Sequence, residues 1–191
     1  VSPYAHGTFQ FFLRNPICQE MGRKFKISFS SSDDDTALSY IHDLGFIAKL
    51  KDGKRGFKVM LGGGLGSQPR HADELYDFLP AEELLPLIEG VLRVFDRHGE
   101  RAKRLKARMK FLIKDIGKDV FMELVSEQST ALSKKHPEFE VEKFEVAPPL
   151  QEVEVPSVEI EDQKDFETWK STNVMPQKQE GLFAIGIRVP L

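Results

Sequence analysis

Apolar residues recur along this chain in two rhythms. From Arg23 to Ser30 the sequence RKFKISFS alternates, with Phe25, Ile27 and Phe29 on one side, which predicts a half-buried strand. Leu44 to Lys51 reads as a second strand carrying Phe46, Ile47 and Leu50. Gly56 to Leu61 (GFKVML) returns as a third after the turn signal Asp52-Gly53-Lys54. The helical rhythm takes over at Pro80. Leu84, Leu87, Ile88, Val91, Leu92 and Phe95 share one face, predicting a helix from Pro80 to His98 with Glu82 and Glu83 at the positive end of its dipole. Gly99 breaks it. Another helix is expected from Val120 to about Lys134, with Phe121, Leu124, Val125 and Leu132 inward.

The segments between are less regular. His6 to Arg14 is rich in aromatics (Phe9, Phe11, Phe12) and reads as a short docking helix ended by Asn15-Pro16, because proline disfavours helix in the residue before it. The polar run Ser30 to Asp35 is suited to capping a short helix over about Thr36 to His42. From His136 the character changes: Pro137, Pro148, Pro149 and Pro156 punctuate an acidic stretch that reads as an extended linker or a surface arm. Regular structure returns between Asp165 and Leu191, where Leu182 to Val189 alternates as one strand, either an edge strand or the first of a further domain.

The chain has 191 residues, 40% hydrophobic and 30% charged, which is ordinary for a soluble globular protein. Its formal net charge of −3 argues against nucleic-acid binding by bulk charge. The one cysteine, Cys18, has no His or Cys at ligand spacing; it excludes an internal disulfide framework and any cysteine-only metal or iron–sulfur site. No apolar run is long enough to span a bilayer. The start, Val-Ser-Pro without Met, suggests a piece of a longer protein.

Charge is distributed unevenly. Phe95 to Lys114 (FDRHGERAKRLKARMKFLIK) is dense in Lys and Arg, offset only by Asp96 and Glu100. At helical period Leu105, Met109, Leu112 and Ile113 make an apolar stripe, flanked by Arg101, Arg104, Arg108 and Lys110. Alternate residues do not share a helix face, so Arg108 and Lys110 converge only near a helix end or on irregular backbone. This much positive charge suits either a solvated face or an anion site. Gly62-Gly63-Gly64-Leu65-Gly66 follows a strand, where a glycine run serves as a tight bend or lets backbone approach an anion or a flat cofactor. It matches neither the P-loop nor the dinucleotide fingerprint. Gln68, Arg70 and His71 follow in a polar loop that reads as a cationic lid or as exposed surface.

Several stretches become specific together. GRKFKISFS, IHDLGFIA, GFKVMLGGGLG, FLPAEELL and VFDRHGERAKRLKARMKF, in that order, resemble the assimilatory sulfite and nitrite reductase haemoproteins. The tail FETWKSTNVMPQKQEGLFAIGI resembles the start of the second half-repeat of the same proteins. The resemblance implies a cytoplasmic parent enzyme carrying sirohaem and a 4Fe–4S cluster. Such an enzyme reduces sulfite to sulfide or nitrite to ammonia with electrons from ferredoxin or a flavoprotein. Carried over by motif, Arg23 matches an anion-binding arginine, and Arg108 and Lys110 match a pair of basic residues on the substrate side. That pair is usually two lysines in the sulfite reductases, so Arg108 is a departure and leaves sulfite against nitrite open; Lys110 is then the candidate acid and Arg108 the clamp. Gly62, Gly63, Gly64 and Gly66 would approach the macrocycle, and Arg101 and Arg104 would pair with its carboxylates.

The resemblance also says what is missing. The family's four cluster cysteines, one bridging to the sirohaem iron, belong to a later half-repeat, and Cys18 is not in that motif. The expected architecture is α+β: a mixed or antiparallel sheet covered by helices, plus a linker and one strand of the next ferredoxin-like half. In this reading 1–20 end the preceding half, 21–135 form the sirohaem-facing domain, 136–164 are linker and 165–191 begin the second half. The alternative is a non-catalytic phosphate- or RNA-binding or interaction module. Against RNA, the Phe residues fall on core stripes rather than beside the basic charge.

Overall fold

A computed structural model describes residues 1–132, 136–141, 157–177 and 181–187. The chain divides into two units, Val1–Val146 and Ala147–Leu191. The first is an α+β unit built on a four-stranded mixed sheet in the order β1-β2-β3-β4, where β1 is Ile27–Ser30, β2 Leu44–Lys51, β3 Lys54–Leu61 and β4 Asp73–Pro80. β1 runs parallel to β2, and the other pairs are antiparallel.

The β2–β3 hairpin is as expected, with Leu44 opposite Leu61 and Lys51 opposite Lys54. Asp52 and Gly53 both take positive φ (51° and 73°), the backbone a tight two-residue hairpin turn requires. β1 is shorter than the alternation from Arg23 suggests. The Lys26 amide is drawn off the ladder by the Asp43 carboxylate at 3.0 Å, while Phe25, Ile27 and Phe29 still pack on the core. The helix expected over Thr36 to His42 is a single 3-10 turn, Ser39–Ile41. Ser30, Asp35 and Ser39 bond one another and the loop amides, giving the backbone an alternative to helix. β4 was not foreseen. It is an acidic edge strand with register shifts against β3 between Phe57 and Met60.

One face of the sheet is covered by α2, Leu84–His98, preceded by a 3-10 turn at Ala81–Glu83. Phe46, Phe57, Val59 and Leu61 meet Leu84, Leu87, Ile88 and Val91 in one core cluster. Each such side chain taken fully from water stabilises by roughly 1.5–3 kcal/mol. The opposite face holds a smaller cluster of Ile47, Met60 and Ala72 beside Tyr40. α1, Ser2–Phe12, starts four residues earlier than expected, with proline in its first turn; it buries Tyr4, whose ring meets Phe57 edge-on at 5.2 Å. α3, Met109–Ile116, ends at Gly117 in positive φ (85°), and α4, Lys118–Leu132, follows. α4 packs close on α2 at Gly90, where a Cβ would fall 2.6 Å from Ser129 Oγ.

The basic stretch is therefore not one helix. Residues 99–108 are irregular apart from a 3-10 turn at Arg104–Lys106, so Leu105 is 89% exposed while Met109, Leu112 and Ile113 are buried. The start of the expected linker lies on the core: the Phe139 ring meets Tyr4 at 5.0 Å, and His136 Nε2 lies 2.8 Å from Glu89 Oε2. The span 142–156, most of the expected linker, falls outside the described residues. In the second unit α5, Gln163–Asn173, begins at Asp162, whose carboxylate accepts from the Lys164 and Asp165 amides. The strand expected over Leu182 to Val189 is shorter, β6 (Phe183–Ile185), and it has a partner, β5 (Val174–Pro176). Its last expected residues, 188 and 189, lie outside the described ones.

Candidate functional site

Three irregular segments converge at one end of the sheet: the approach to β1 (Arg23, Lys24, Lys26), the loop before β2 (Ile41, His42), and the chain entering α3 (Arg104, Leu105, Arg108, Lys110, Phe111). With Leu65, Gly66 and Ser67 of the glycine-rich loop they line a pocket of about 360 Å³. Six of its lining residues are Lys or Arg and, among the described residues that line it, none is Asp or Glu. Two of these cations, Arg108 and Lys110, are anchored separately by the fold.

Arg108 occupies the position before the first turn of α3, in extended conformation (ψ 148°), which lets it share the pocket with Lys110. Its Nε and Nη2 donate to the Asp43 carboxylate at 3.2 and 2.8 Å. Asp43 is fully buried at the entry to β2. Burial holds its carboxyl above the usual carboxylate range, and the Arg108 guanidinium and the Lys26 amide offset only part of that rise. Lys110 is 4% exposed, and its Nζ donates to the carbonyls of Gln68, Leu65 and Gly64 at 2.5, 3.2 and 3.4 Å. Burial, then the neighbouring Arg108 charge, lowers the pKa of this ammonium below that of an ordinary lysine. Arg23 differs from both: its Nε is buried and has no hydrogen-bond partner.

The glycine run holds the site from behind. Gly64 and Arg70 exchange two backbone hydrogen bonds of 2.9 Å, closing the loop. Arg70 Nη1 donates to the Gly62 carbonyl at 2.9 Å and Nη2 pairs with Asp73, so this residue braces the loop rather than forming a lid. A Cβ on Gly63 would fall 2.5 Å from the Tyr40 carbonyl oxygen and 2.7 Å from that of His42; one on Gly64 would meet Arg108 Nη2 at 3.1 Å. Gly62, Gly63 and Gly64 thus make room for protein, and Gly66, with φ 115° and open space before it, is the glycine that lines the pocket.

Of the residues singled out from sequence, Arg23, Arg104, Arg108, Lys110 and Gly66 come together here. Arg101 does not line this pocket. Its guanidinium pairs with Asp96 and donates to the Glu20 carbonyl at 3.0 Å. Sequence reasoning missed Lys24, Lys26, His42 and Asp43 as members of the site. The charged half of the RKFK alternation was the available signal for the lysines; nothing local marks Asp43, whose partner is distant in sequence.

The site is thus the end of the sheet in an α+β domain, where six cations line one pocket together with two exposed leucines (Leu65 59% and Leu105 89% exposed). The family described as "Nitrite and sulphite reductase 4Fe-4S domain" matches residues 2–132, and the chain belongs to that family. It is 30% identical to the chloroplastic ferredoxin–nitrite reductase of Arabidopsis thaliana, covering 99% of this chain and 30% of that protein. It is 40% identical to the NADPH sulfite reductase hemoprotein beta-component of Nitrobacter hamburgensis over 52% of this chain and 18% of that one. Among solved structures, the NirA protein of Mycobacterium tuberculosis superposes with a TM-score of 0.62 at 28% identity, over 68% of this chain and 24% of that one. A dissimilatory sulfite reductase shares the fold, with a TM-score of 0.55 at 14% identity, over 86% of this chain and 55% of that one. The chain thus spans about three tenths of the length of the plant reductase. Among the described residues no helix is long and apolar enough to cross a membrane.

Proposed function

We propose that this chain is the part of a sirohaem-dependent nitrite or sulfite reductase that supplies one wall of the cofactor site and cations for the substrate oxyanion. The observation that carries this reading is the pocket in which six Lys and Arg side chains converge without a lining carboxylate. Its rim also fits a flat macrocycle edged with carboxylates. Leu65 and Leu105 offer exposed apolar surface, Lys24, Lys26 and Arg104 lie among them as carboxylate partners, and Gly66 leaves open space. Sirohaem, when bound, supplies the iron on which the oxyanion is reduced. The chain does not fit the iron–sulfur cluster in the same way: a 4Fe–4S cluster takes four thiolates, and Cys18 is alone. Among the described residues no group of three or more His, Cys, Asp or Glu is placed to hold a metal.

Each cation has a distinct task. Arg23, with an unpartnered Nε, is the clamp that remains free for the anion. Arg108 is neutralised by Asp43 and fixes the pocket wall. Lys110, with its pKa lowered by burial, is the acid candidate, holding a proton near the site while bracing the glycine-rich loop. Residues 1–20, 21–135, 136–164 and 165–191 are then the end of one half, the sirohaem-facing domain, the linker and the start of the next half. Electrons would reach the parent enzyme from ferredoxin or from a flavoprotein; the names of the relatives give ferredoxin for the nitrite reductase and NADPH for the sulfite reductase. Nitrite is the first substrate to test, because the nitrite reductase similarity extends over 99% of the chain and the sulfite reductase similarity over 52%.

The test is a titration of the chain with sirohaem, followed by its visible absorption, with nitrite and then sulfite added. Saturable binding is expected, with a spectral response to anion that is lost in Arg23→Ala. An anion response that survives Arg23→Ala unchanged would refute the assignment of the clamp. Without its cluster the chain alone is expected to be inactive, and stoichiometric iron and acid-labile sulfide in the isolated chain would contradict that.

A further inference from the structure

One side chain lining the cationic pocket, His42, is of the type that changes charge near neutral pH. Unusual backbone holds it there. Asp35 and Leu38 both take left-handed φ (46° and 54°), a conformation that is strained for a non-glycine residue. A hydroxyl–carboxylate clasp holds them: Ser30 Oγ donates to Asp35 Oδ1 at 2.5 Å, the Ser39 amide donates to the same oxygen at 2.9 Å, and the Ala37 amide donates to Ser30 Oγ at 3.0 Å. The Leu38 carbonyl presented by this turn lies 2.8 Å from His42 Nδ1. A carbonyl only accepts, so Nδ1 carries the proton, and Nε2 is the nitrogen left to gain or lose one. From the other side the glycine run presses on the same loop, through the close approach of Gly63 to the Tyr40 and His42 carbonyls.

We propose that His42 is a second proton carrier of the oxyanion pocket beside Lys110, its Nε2 taking up a proton when a small monoanion binds and holding it beside that anion. The inference rests on the oxyanion reading above. The charged groups sharing the pocket with the ring are Arg23, Lys24 and Lys26 on the approach to β1, and Arg104, Arg108 and Lys110 at the entry to α3. Asp43, the adjacent residue, has its carboxylate engaged by Arg108 and the Lys26 amide, so it is already compensated. The bound anion is then the charge that stabilises an imidazolium in this pocket, which couples anion binding to proton uptake. Reduction of nitrite consumes protons as its oxygens leave as water, so a proton delivered with the substrate is of direct use.

The test is an NMR titration of the full 191-residue chain. The His42 ring signals, assigned by their loss in H42Q, are followed over roughly pH 5–8, with nitrite or with chloride at equal ionic strength. Nitrite remains a monoanion throughout this range. Saturating nitrite is expected to raise the His42 midpoint by about one pH unit; by reciprocity nitrite then binds about tenfold more tightly to the protonated form. In H42Q, nitrite is expected still to shift the Gly66 and Ser67 amides, with an affinity that no longer varies with pH. Through-bond assignment in the wild type keeps the test intact if H42Q fails to fold. Nitrite shifts at Gly66 and Ser67 with an unmoved His42 midpoint would overturn the inference and leave the pocket standing. Shifts at neither would overturn both.

Discussion

Asp43→Asn separates two readings of Arg108: free anion clamp, or wall of the pocket. Asp43 is fully buried and the Arg108 side chain is 13% exposed, with two hydrogen bonds joining them. Asparagine keeps the shape but removes the counter-charge, leaving a largely buried guanidinium uncompensated, and it replaces one of the carboxylate oxygens with a donor. Breaking one side of a buried pair costs about 3–5 kcal/mol. Arg108 opens at one edge onto the pocket, where water softens the loss, so a cost of about 2–4 kcal/mol is expected. A chain of this size shifts its Tm by about 2–4 °C per kcal/mol, which makes the expected drop about 5–15 °C in a thermal scan.

Two further measurements fix the cause. Replacing both partners with apolar residues, Asp43→Leu with Arg108→Met, should recover much of the loss, because no unpaired charge remains. Nitrite binding should move oppositely to stability: Asp43→Asn frees a positive charge beside the pocket and tightens binding while the protein unfolds earlier. A ΔΔG for Asp43→Asn within about 0.5 kcal/mol of zero would refute the neutralised-wall reading. So would a double variant as unstable as the sum of its parts.

Lys110→Met should cost about 2–3 kcal/mol by urea denaturation, because the carbonyls of Gly64, Leu65 and Gln68 lose their shared donor; a smaller loss would mean that water replaces it freely. Gly63→Ala drives a methyl into two backbone oxygens and should cost about 1–3 kcal/mol, whereas the exposed turn variant Lys54→Ala should stay within about 0.5 kcal/mol. Burial works to raise the Asp35 carboxyl, but hydrogen bonds from Ser30, Ser39 and Tyr40 bring it below the usual range. Its stabilisation is therefore present above the unfolded carboxylate pKa and lost as pH falls through the folded one. Amide protection in the 30–39 loop, measured as exchange relative to the intrinsic rate at each pH, should fall on acidification in the wild type and be low at every pH in Asp35→Ala; equal acid sensitivity in both would discard the clasp.

What sequence made legible, and what it did not, follows from the range of the interactions. The β2–β3 hairpin and α2 announce themselves because a turn dipeptide and a long apolar stripe are local signals. β4 does not, since an acidic edge strand with register shifts satisfies no clean period. The stripe through Leu105 failed because residues 99–108 are irregular, and the same irregularity lets Arg108 and Lys110 meet, as their spacing demanded. Motif resemblance brought Arg23, Arg108 and Lys110 forward together, but it could not say which of them the protein already engages. Arg108 answers to Asp43, 65 residues away, and Lys110 to carbonyls 42 to 46 residues away. Those pairings exist only in the folded chain, and they change the chemistry. Two of the six pocket cations hold the walls, whereas Arg23 keeps a buried Nε without a hydrogen-bond partner, a difference that no local sequence signal carries.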